Sequence, residues 1–318
     1  MNLQRAVAPR SDLAAVAGLT RIVRELRPDI VHAHSSKAGA VSRLARILHP
    51  RVPLVYSPHL YAFAGDFERP SERRAYRAAE RLLAPAASRV VCVCEDEARL
   101  ARSIGPTGRV RVVYNGIAPA GAGPADPRIA ALSERGPVVG ALALLHRRKG
   151  LQTLIDAIPR VLARHPLTQI AIVGEGPELE ALRTRAQRRE VAHAVSFLGP
   201  TADPLSALRG MHVFVHPSWA ESFPYVILEA MSLGLPIVAS DVGGVGEAIT
   251  DRESGLLVPA RDEQALAGAL TAMLEDRERA ARMGEMARQQ ADRRFALTAM
   301  TEGMMDVYGE LIVPARGR

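Results

Sequence analysis

Two glutamates eight residues apart, Glu221 and Glu229, are the side chains best placed for chemistry on a hydroxyl-rich ligand. They lie in the stretch HVFVHPSWAESFPYVILE, residues 212–229. Residues 213–215 read as a buried strand, and His216-Pro217-Ser218 reads as its end. Ser222, Phe223 and Pro224 read as a helix start, with Pro in the first turn and Ser supplying a capping oxygen. A carboxylate accepts two hydroxyl hydrogen bonds well, and a helix N-terminus behind a strand suits an anion. Glu221 just before the helix and Glu229 about two turns in therefore point to a ligand that joins phosphate to sugar hydroxyls. A second signal comes from lysine. Of 41 basic residues only Lys37 and Lys149 are lysine, the two places where a compact ammonium stands instead of a planar guanidinium. Lys149, in LHRRKG with Arg147 and Arg148 beside it, enters a helix and suits a pyrophosphate. Lys37 stands just past a strand end, beside Ser35 and Ser36 and before Gly39, in an anion-accepting turn of the same kind. Gly174 and Gly176, in VGEGP, fit a tight turn at another strand end.

Strand ends and helix starts must hold these groups, and the chain supplies them in a βαβα rhythm that predicts parallel sheets covered by helices. In the first half, strands are predicted at 30–34, 53–57, 90–94 and 110–114, with helices at 12–26, 38–48, 72–83 and 97–103. In the second half, strands are predicted at 137–144, 169–173, 195–198, 213–215, 236–240 and 255–258. Helices fall at 151–164, 178–189, 205–209 and 246–249, and the chain from Asp262 reads as helical with breaks near Gly284 and Phe295. The Pro/Gly-rich stretch APAGAGPADP, 118–127, places the domain boundary. The expected domains are 1–126 and 127–295, with a C-terminal helix in 296–318. The first half opens on a helix and holds about four strands. A doubly wound nucleotide-binding domain begins with a strand and a glycine-rich turn, so the N-terminal part of the first domain is expected to be lacking.

Composition narrows the classes. A chain of 318 residues with 48% hydrophobic and 24% charged residues can bury sizeable cores in about two domains. Residues 1–126 carry 19 Lys+Arg against 11 Asp+Glu, a net of +8, and the remainder carries 22 against 23, a net of −1. A basic half suits a phosphorylated substrate or an anionic membrane. Nucleic acid is disfavoured, because aromatics are only 4% and none interleave with a basic patch. Cys92 and Cys94 alternate along a strand, one expected on each side. They are too few for a disulfide framework or a zinc site, which suggests a reducing, cytoplasmic setting. The stretch MNLQRAVAPRSDLA has no apolar core of signal-peptide length and no run of about 18 apolar residues occurs, so neither secretion by the usual signal nor a membrane span is expected. The histidines show no ligand spacing with acids, and no essential metal or other cofactor is expected.

The order of these motifs resembles a family 4 glycosyltransferase of the GT-B fold, an α/β architecture of two Rossmann-like domains. The residues that carry the resemblance are ESFPYVILEAMSLGLPIVASDVGGVGEAI (221–249), HRRKG (146–150), VGEGP (173–177), YNGI (114–117) and RPDIVHAHSSKAG (27–39). HSSKAG followed by YSPHLYAF is similar to members that build capsular or exopolysaccharides. The resemblance implies a retaining transferase that takes a nucleotide sugar on the second domain and delivers it to a glycan or lipid-linked acceptor on the first. The C-terminal helix is implied to return to the first domain. Glu229 would bind ribose hydroxyls, and Glu221 would contact the donor sugar near the reacting carbon. Lys149, with Arg148, would hold the diphosphate, and the backbone around Ser222, Phe223, Pro224 and Tyr225 would complete the cradle, with Gly174 and Gly176 near the nucleotide. The family has an arginine five residues before that lysine, where this chain has Leu144. His59, in YSPHLY, matches a histidine close to the transferred sugar. Lys37 and Ser36 would meet the acceptor. His32 and His34 alternate on their strand, one expected toward the sheet and the other toward the ligand.

Arg69, Arg73, Arg74, Arg77 and Arg81 follow Phe63 and Phe67 on a helix that also carries Glu68, Glu72 and Glu80. This pattern suggests peripheral contact with an anionic membrane at the inner face or, because the acids are interleaved, equally a solvated helix face. Two other readings remain: a non-catalytic nucleotide-sugar-binding remnant, and a GT-B-fold epimerase, which would convert a nucleotide sugar without an acceptor. The run GGVGEAI does not complete a dinucleotide fingerprint, because Ile249 stands where a small residue should be, and a dehydrogenase is disfavoured.

Overall fold

The computed structural model describes residues 8–65 and 69–312. Contacts divide the chain into two units: one runs to Asn115 and takes in the segment from Thr298, and the other is Gly116–Leu297.

The first unit holds α1 (Pro9–Leu26), β1 (Val31–His34), α2 (Ser36–Leu48), β2 (Leu54–Ser57), α3 (Pro70–Leu83), β3 (Arg89–Cys92), α4 (Glu95–Arg102) and β4 (Val110–Val112). Its described strands form a parallel sheet in the order β1-β2-β3-β4. Parallel strands buried on both faces read as near-continuous apolar runs, and β2 is buried throughout, its polar end Ser57 satisfied by His32. The strand predicted through Cys94 ends at Cys92. Cys94 instead caps α4, its Sγ accepting from the Glu97 N–H, and both cysteines are buried thiols outside any disulfide. Residues two apart on a strand would in any case share a face.

An ion pair is sealed into this unit. Arg43 of α2 pairs with Glu80 of α3 at 2.8 Å, Tyr56 donates its hydroxyl to Glu80 Oε1 at 3.1 Å, and the guanidinium lies 4.3 Å from the Tyr56 ring centre. Glu80 had read as one of the acids on a solvated face. The rest of α3 is solvated: its residues from Pro70 to Ala79 are exposed. Phe67 and Glu68 lie outside the described residues.

The second unit holds α5 (Pro127–Ser133), β5 (Val138–Leu142), α6 (Leu151–Arg164), β6 (Gln169–Val173), α7 (Leu179–Arg188), β7 (Val195–Gly199), α8 (Pro204–Arg209), β8 (Val213–His216), α9 (Tyr225–Ser232), β9 (Ile237–Ser240), α10 (Val245–Ala248), β10 (Leu256–Val258), α11 (Glu263–Glu275) and α12 (Arg277–Arg294). Its parallel sheet runs β10-β9-β8-β5-β6-β7. The chain works outward from β5 in one direction, then returns to β8 and works outward in the other. Apolar side chains of α6 and α11, among them Ile155, Ile158 and Leu270, pack on Ile172 and Val215 of the sheet. The Pro/Gly-rich stretch lies within this unit, where Arg209 of α8 donates to the Gly121 carbonyl and Asp126 caps α5.

The last helix, α13 (Leu297–Gly309), is held in the first unit from Thr298 onward. Val307 packs with Val55 and Val91, and Glu310 pairs with Arg89 at 2.6 Å and Arg111 at 3.0 Å.

The break predicted at Gly284 is not there. The chain breaks at Asp276, whose side chain caps α12 by accepting from the Arg279 N–H, and Gly284 lies inside that helix. A Cβ at Gly284 would overlap the Gly234 carbonyl, so glycine here serves close approach of α12 to the turn behind α9. Because α12 packs on α9, which carries Glu229, the contact positions the candidate site. Gly284→Ala is expected to destabilise the protein by about 1–3 kcal/mol through overpacking. Chemical denaturation checks this, and an unchanged midpoint would refute it.

Candidate active site

In an open parallel sheet, ligands settle outside the carboxyl ends of the strands at the point where the strand order reverses. Here that point lies between β5 and β8, which are hydrogen-bonded neighbours. The segment after β5 carries Lys149 in a 3-10 turn, Arg147–Lys149, and the segment after β8 carries Glu221. The two segments are stitched together. The Trp219 N–H donates to the Arg148 carbonyl at 2.7 Å, Arg148 Nη1 donates to the Ala220 carbonyl at 3.3 Å, and the Trp219 indole donates to Thr153 at 3.0 Å. Gly150, at φ +66°, permits the approach, since a Cβ there would overlap the Pro217 carbonyl. Gly243, at φ +55°, lies equally close to the Glu221 carbonyl, and the Gly244 N–H donates to the Ser222 carbonyl at 2.7 Å. GGVGEAI thus braces the glutamate from behind.

The Glu221 carboxylate is buried, and three donors converge on its Oε1. Lys149 Nζ lies at 2.5 Å, Ser218 Oγ at 2.8 Å and His216 Nε2 at 3.2 Å. Its Oε2 has Arg148 Nη1 at 3.6 Å. Burial alone would raise the carboxyl pKa. The hydrogen bond from His216 and the charge of Lys149 outweigh burial and hold the pKa well below the usual carboxylate range. Burial lowers the pKa of His216, which is therefore neutral.

Helix α9 begins at Tyr225, with Pro224 as its cap residue and no side-chain cap. Ser222 is not the cap residue as expected, because the helix starts two residues further on, behind Pro224. Glu229, one turn in, is half-buried, has no hydrogen-bonded or ionic side-chain partner among the described residues, and has its pKa raised by burial. The Phe223 ring packs against Phe295 with centroids 5.2 Å apart, which leaves its backbone as the part able to face a ligand. Tyr225 and Leu144 are exposed, 46% and 54% respectively. At Gly174 and Gly176, Cβ atoms would overlap the backbone of Ala143 and Leu145, so these glycines let the segments after β5 and β6 lie side by side. The Leu145 N–H donates to the Glu175 carbonyl at 2.8 Å across that seam.

The first unit gathers a different set. His32 and His34 share a face of β1 instead of opposing each other, because side chains two apart on a strand point the same way, and their rings lie 4.0 Å apart. His32 bonds Tyr308 of α13 at 2.7 Å through Nδ1 and Ser57 at 2.9 Å through Nε2. His34 Nδ1 meets His59 Nε2 at 2.8 Å. Burial first, then His34 and His59, push the His32 pKa down to about 4. Partial ring burial also lowers those of His34 and His59. His59, Ser36 and Lys37 all line a cavity of about 820 Å³ with apolar walls from α1, α2 and α3. Lys37 is ion-paired with Asp12 at 2.9 Å, and Ser36 Oγ accepts from the Ala62 N–H at 3.1 Å. No cluster of His, Cys, Asp or Glu able to hold a metal ion occurs among the described residues.

The sequence profile of the glycosyl transferases group 1 family matches residues 124–290, and that of the glycosyl transferase 4-like domain matches residues 1–116. The chain belongs to this glycosyltransferase family. A D-inositol 3-phosphate glycosyltransferase of Corynebacterium jeikeium is 30% identical over 89% of this chain and 72% of its own length. A glycogen synthase of Mycobacterium tuberculosis is 28% identical over 90% and 69%. Among solved structures, a sucrose-phosphate synthase from Thermosynechococcus elongatus superposes with a TM-score of 0.83 at 23% identity, covering 98% of this chain and 80% of that one. The Anabaena protein HepE, in complex with UDP and glucose, gives 0.80 at 24%, covering 96% and 84%. The fold of this glycosyltransferase is GT-B, with two parallel-sheet domains.

Of the sequence-predicted residues, the second unit brings Lys149, Arg148 and Glu221 into direct contact around one carboxylate. Glu229, Tyr225 and the two glycines stand on neighbouring elements of the glycosyltransferase. His59, Lys37 and Ser36 are brought together by the first unit. Sequence reasoning missed His216 and Ser218. The signal was available as two hydrogen-bonding side chains five and three residues before Glu221, but HPS had read only as a strand end.

Two outcomes follow from this geometry. In denaturant unfolding, a double-mutant cycle of Lys149→Met and Glu221→Gln should show a coupling of about 1–3 kcal/mol, as for a buried ion pair; additive effects would contradict the pairing. The second concerns His32, whose folded pKa of about 4 lies below its ordinary 6.5. The unfolded chain binds the proton first as pH falls, so stability is full above that window and declines through it. Replacing His32 with Asn should reduce the slope of stability against pH there, and an unchanged slope would rule the assignment out.

Proposed function

We propose that this glycosyltransferase is a retaining enzyme that moves a sugar from a nucleoside-diphosphate donor to a glycan or lipid-linked acceptor. The observation that carries the reading is the ionised, buried Glu221 beside Lys149 at the strand-order reversal, with Glu229, whose side chain has no partner among the described residues, on the following helix. The UDP and glucose complex of HepE supports a nucleotide-sugar donor.

In this reading the donor lies across the carboxyl ends of β5 and β8. Glu229 accepts the ribose hydroxyls, which replace the water its half-buried carboxylate otherwise needs. Lys149, Arg148 and the first-turn amides of α9 face the diphosphate and stabilise the charge that builds on it as the glycosidic bond breaks. Leu144 gives no second phosphate clamp, so Arg148 is the guanidinium that serves. Glu221 Oε2 lies toward the sugar, where a fixed negative charge favours the developing positive charge at the anomeric carbon. No step requires a metal, because the cations around the diphosphate are side chains.

The acceptor is assigned to the first unit, at the cavity lined by Lys37, Ser36 and His59. Lys37 comes to it with its charge already balanced by Asp12, so it offers hydrogen bonds more than net charge. His59 hydrogen-bonds a sugar hydroxyl through Nδ1 while His34 holds its Nε2. The relatives' names divide between a polymeric product and a phosphorylated small acceptor. A surface polysaccharide remains our choice because of the resemblance carried by HSSKAG and YSPHLYAF. Contact with an anionic membrane is assigned to α3, which exposes Arg73, Arg74, Arg77 and Arg81 beside Tyr76 and Leu82.

Glu221→Ala should lower the rate of transfer at least about a hundredfold while leaving UDP binding within a few fold, and Glu229→Ala should weaken UDP binding about tenfold or more. Calorimetry and product assays against a panel of nucleotide sugars separate these effects. NMR of the product should show the anomeric configuration of the donor. An inverted product, or transfer by Glu221→Ala at the wild-type rate, would sink the reading, and turnover of donor without acceptor would favour an epimerase.

A further inference from the structure

We propose that His216 and Ser218 are positioning residues for Glu221, holding its Oε1 so that Oε2 is the oxygen presented to the donor sugar. The proposal rests on the assignment of Glu221 to the donor site.

The two carboxylate oxygens are treated differently. Oε1 receives Lys149, Ser218 and His216 within 3.2 Å, whereas among the described residues Oε2 has only the Arg148 guanidinium, at 3.6 Å. An ionised carboxylate offers about four acceptor positions, and three on one oxygen exhaust its lone pairs. Oε2 is therefore the atom with capacity left for a ligand hydroxyl.

The three donors on Oε1 also differ in kind. Lys149 is a cation that the diphosphate will share. Ser218 and His216 are neutral and buried, at 1% and 2% exposure, and take no part in holding phosphate. When Lys149 turns toward the diphosphate, a carboxylate relying on it alone would be left buried and undersolvated. Ser218 and His216 keep it satisfied and in place throughout the cycle.

His216 is suited to this because it is the last residue of β8, paired in register with Ala239 of β9. Its ring lies 6.2 Å from that of Phe214. The charged groups that face it are Glu221, Lys149 and Arg148. Neutral His216 must carry its proton on Nε2 to donate to Glu221. Protonation would add a third cation beside Lys149 and Arg148, which both oppose it.

The test uses the full chain with UDP and the best donor and acceptor found by the panel. His216→Leu and Ser218→Ala should each lower kcat by about ten- to a hundredfold with a smaller change in donor KM, since hydrogen bonds to a charged group are removed. UDP binding should hold within a few fold. The acid limb of the kcat–pH profile should move to higher pH, because a carboxylate that loses a donor takes up its proton sooner. His216→Gln, which keeps an N–H near the Nε2 position, and Ser218→Thr should restore most of the rate and the original acid limb. Circular dichroism and thermal melting identify variants that fold. Folded variants with unchanged kcat and pH profile overturn the proposal, and so does loss of UDP binding in proportion to kcat. Glu221→Ala run alongside separates the two assignments. If it alone loses activity, the positioning role fails and the donor site stands; if it too stays active, the donor-site reading itself fails.

Discussion

A carboxylate kept ionised out of water needs donors fixed around it, and much of the second unit can be understood as the supply of those donors to Glu221. Lys149 comes from beyond β5, and Ser218 and His216 come from the end of β8. They can converge because β5 and β8 are neighbours in the sheet, although more than seventy residues separate their sequences. Gly150 and Gly243 remove the side chains that would hold the flanking backbone apart. The acidity of Glu221 is thus set by the topology of the sheet as much as by any local sequence.

The first unit answers a different constraint. Two histidines of β1, His32 and His34, and His59 in the segment after β2 have their pKa values lowered by burial, and His32 links β1 to the hydroxyl of Tyr308 on the last helix. Deeper in, Arg43 and Glu80 are removed from water together. Such a pair adds little net stability over an apolar one, but α2 and α3 cannot slide without parting it, so it fixes register.

The alternation of strands and helices was legible because apolar runs and Gly/Pro punctuation are local signals. The paired glutamates, Lys149 and the glycine turns were legible because their spacing is local too. What escaped depended on distance in sequence. His216 and Ser218 matter only because Lys149 arrives beside them. Glu80 reads as a surface acid until Arg43 meets it from another helix. Gly284 reads as a helix break until the Gly234 turn is seen pressing on it. The pairing of His32 and His34 on one face is a local rule that the alternation reading misapplied.

The glycines around Glu221 carry a further consequence for how such a site can diversify. At Gly150, Gly174, Gly176 and Gly243 backbone lies directly on backbone, so the turns cannot lengthen, shorten or gain a side chain without pulling the carboxylate away from its donors. Variation in what the site accepts is therefore channelled into side chains that project from the rigid turns, such as Leu144 and Tyr225. Descendants of this chain would vary by exchanging such exposed residues on an unaltered frame, much as a tool takes a new bit in a fixed chuck.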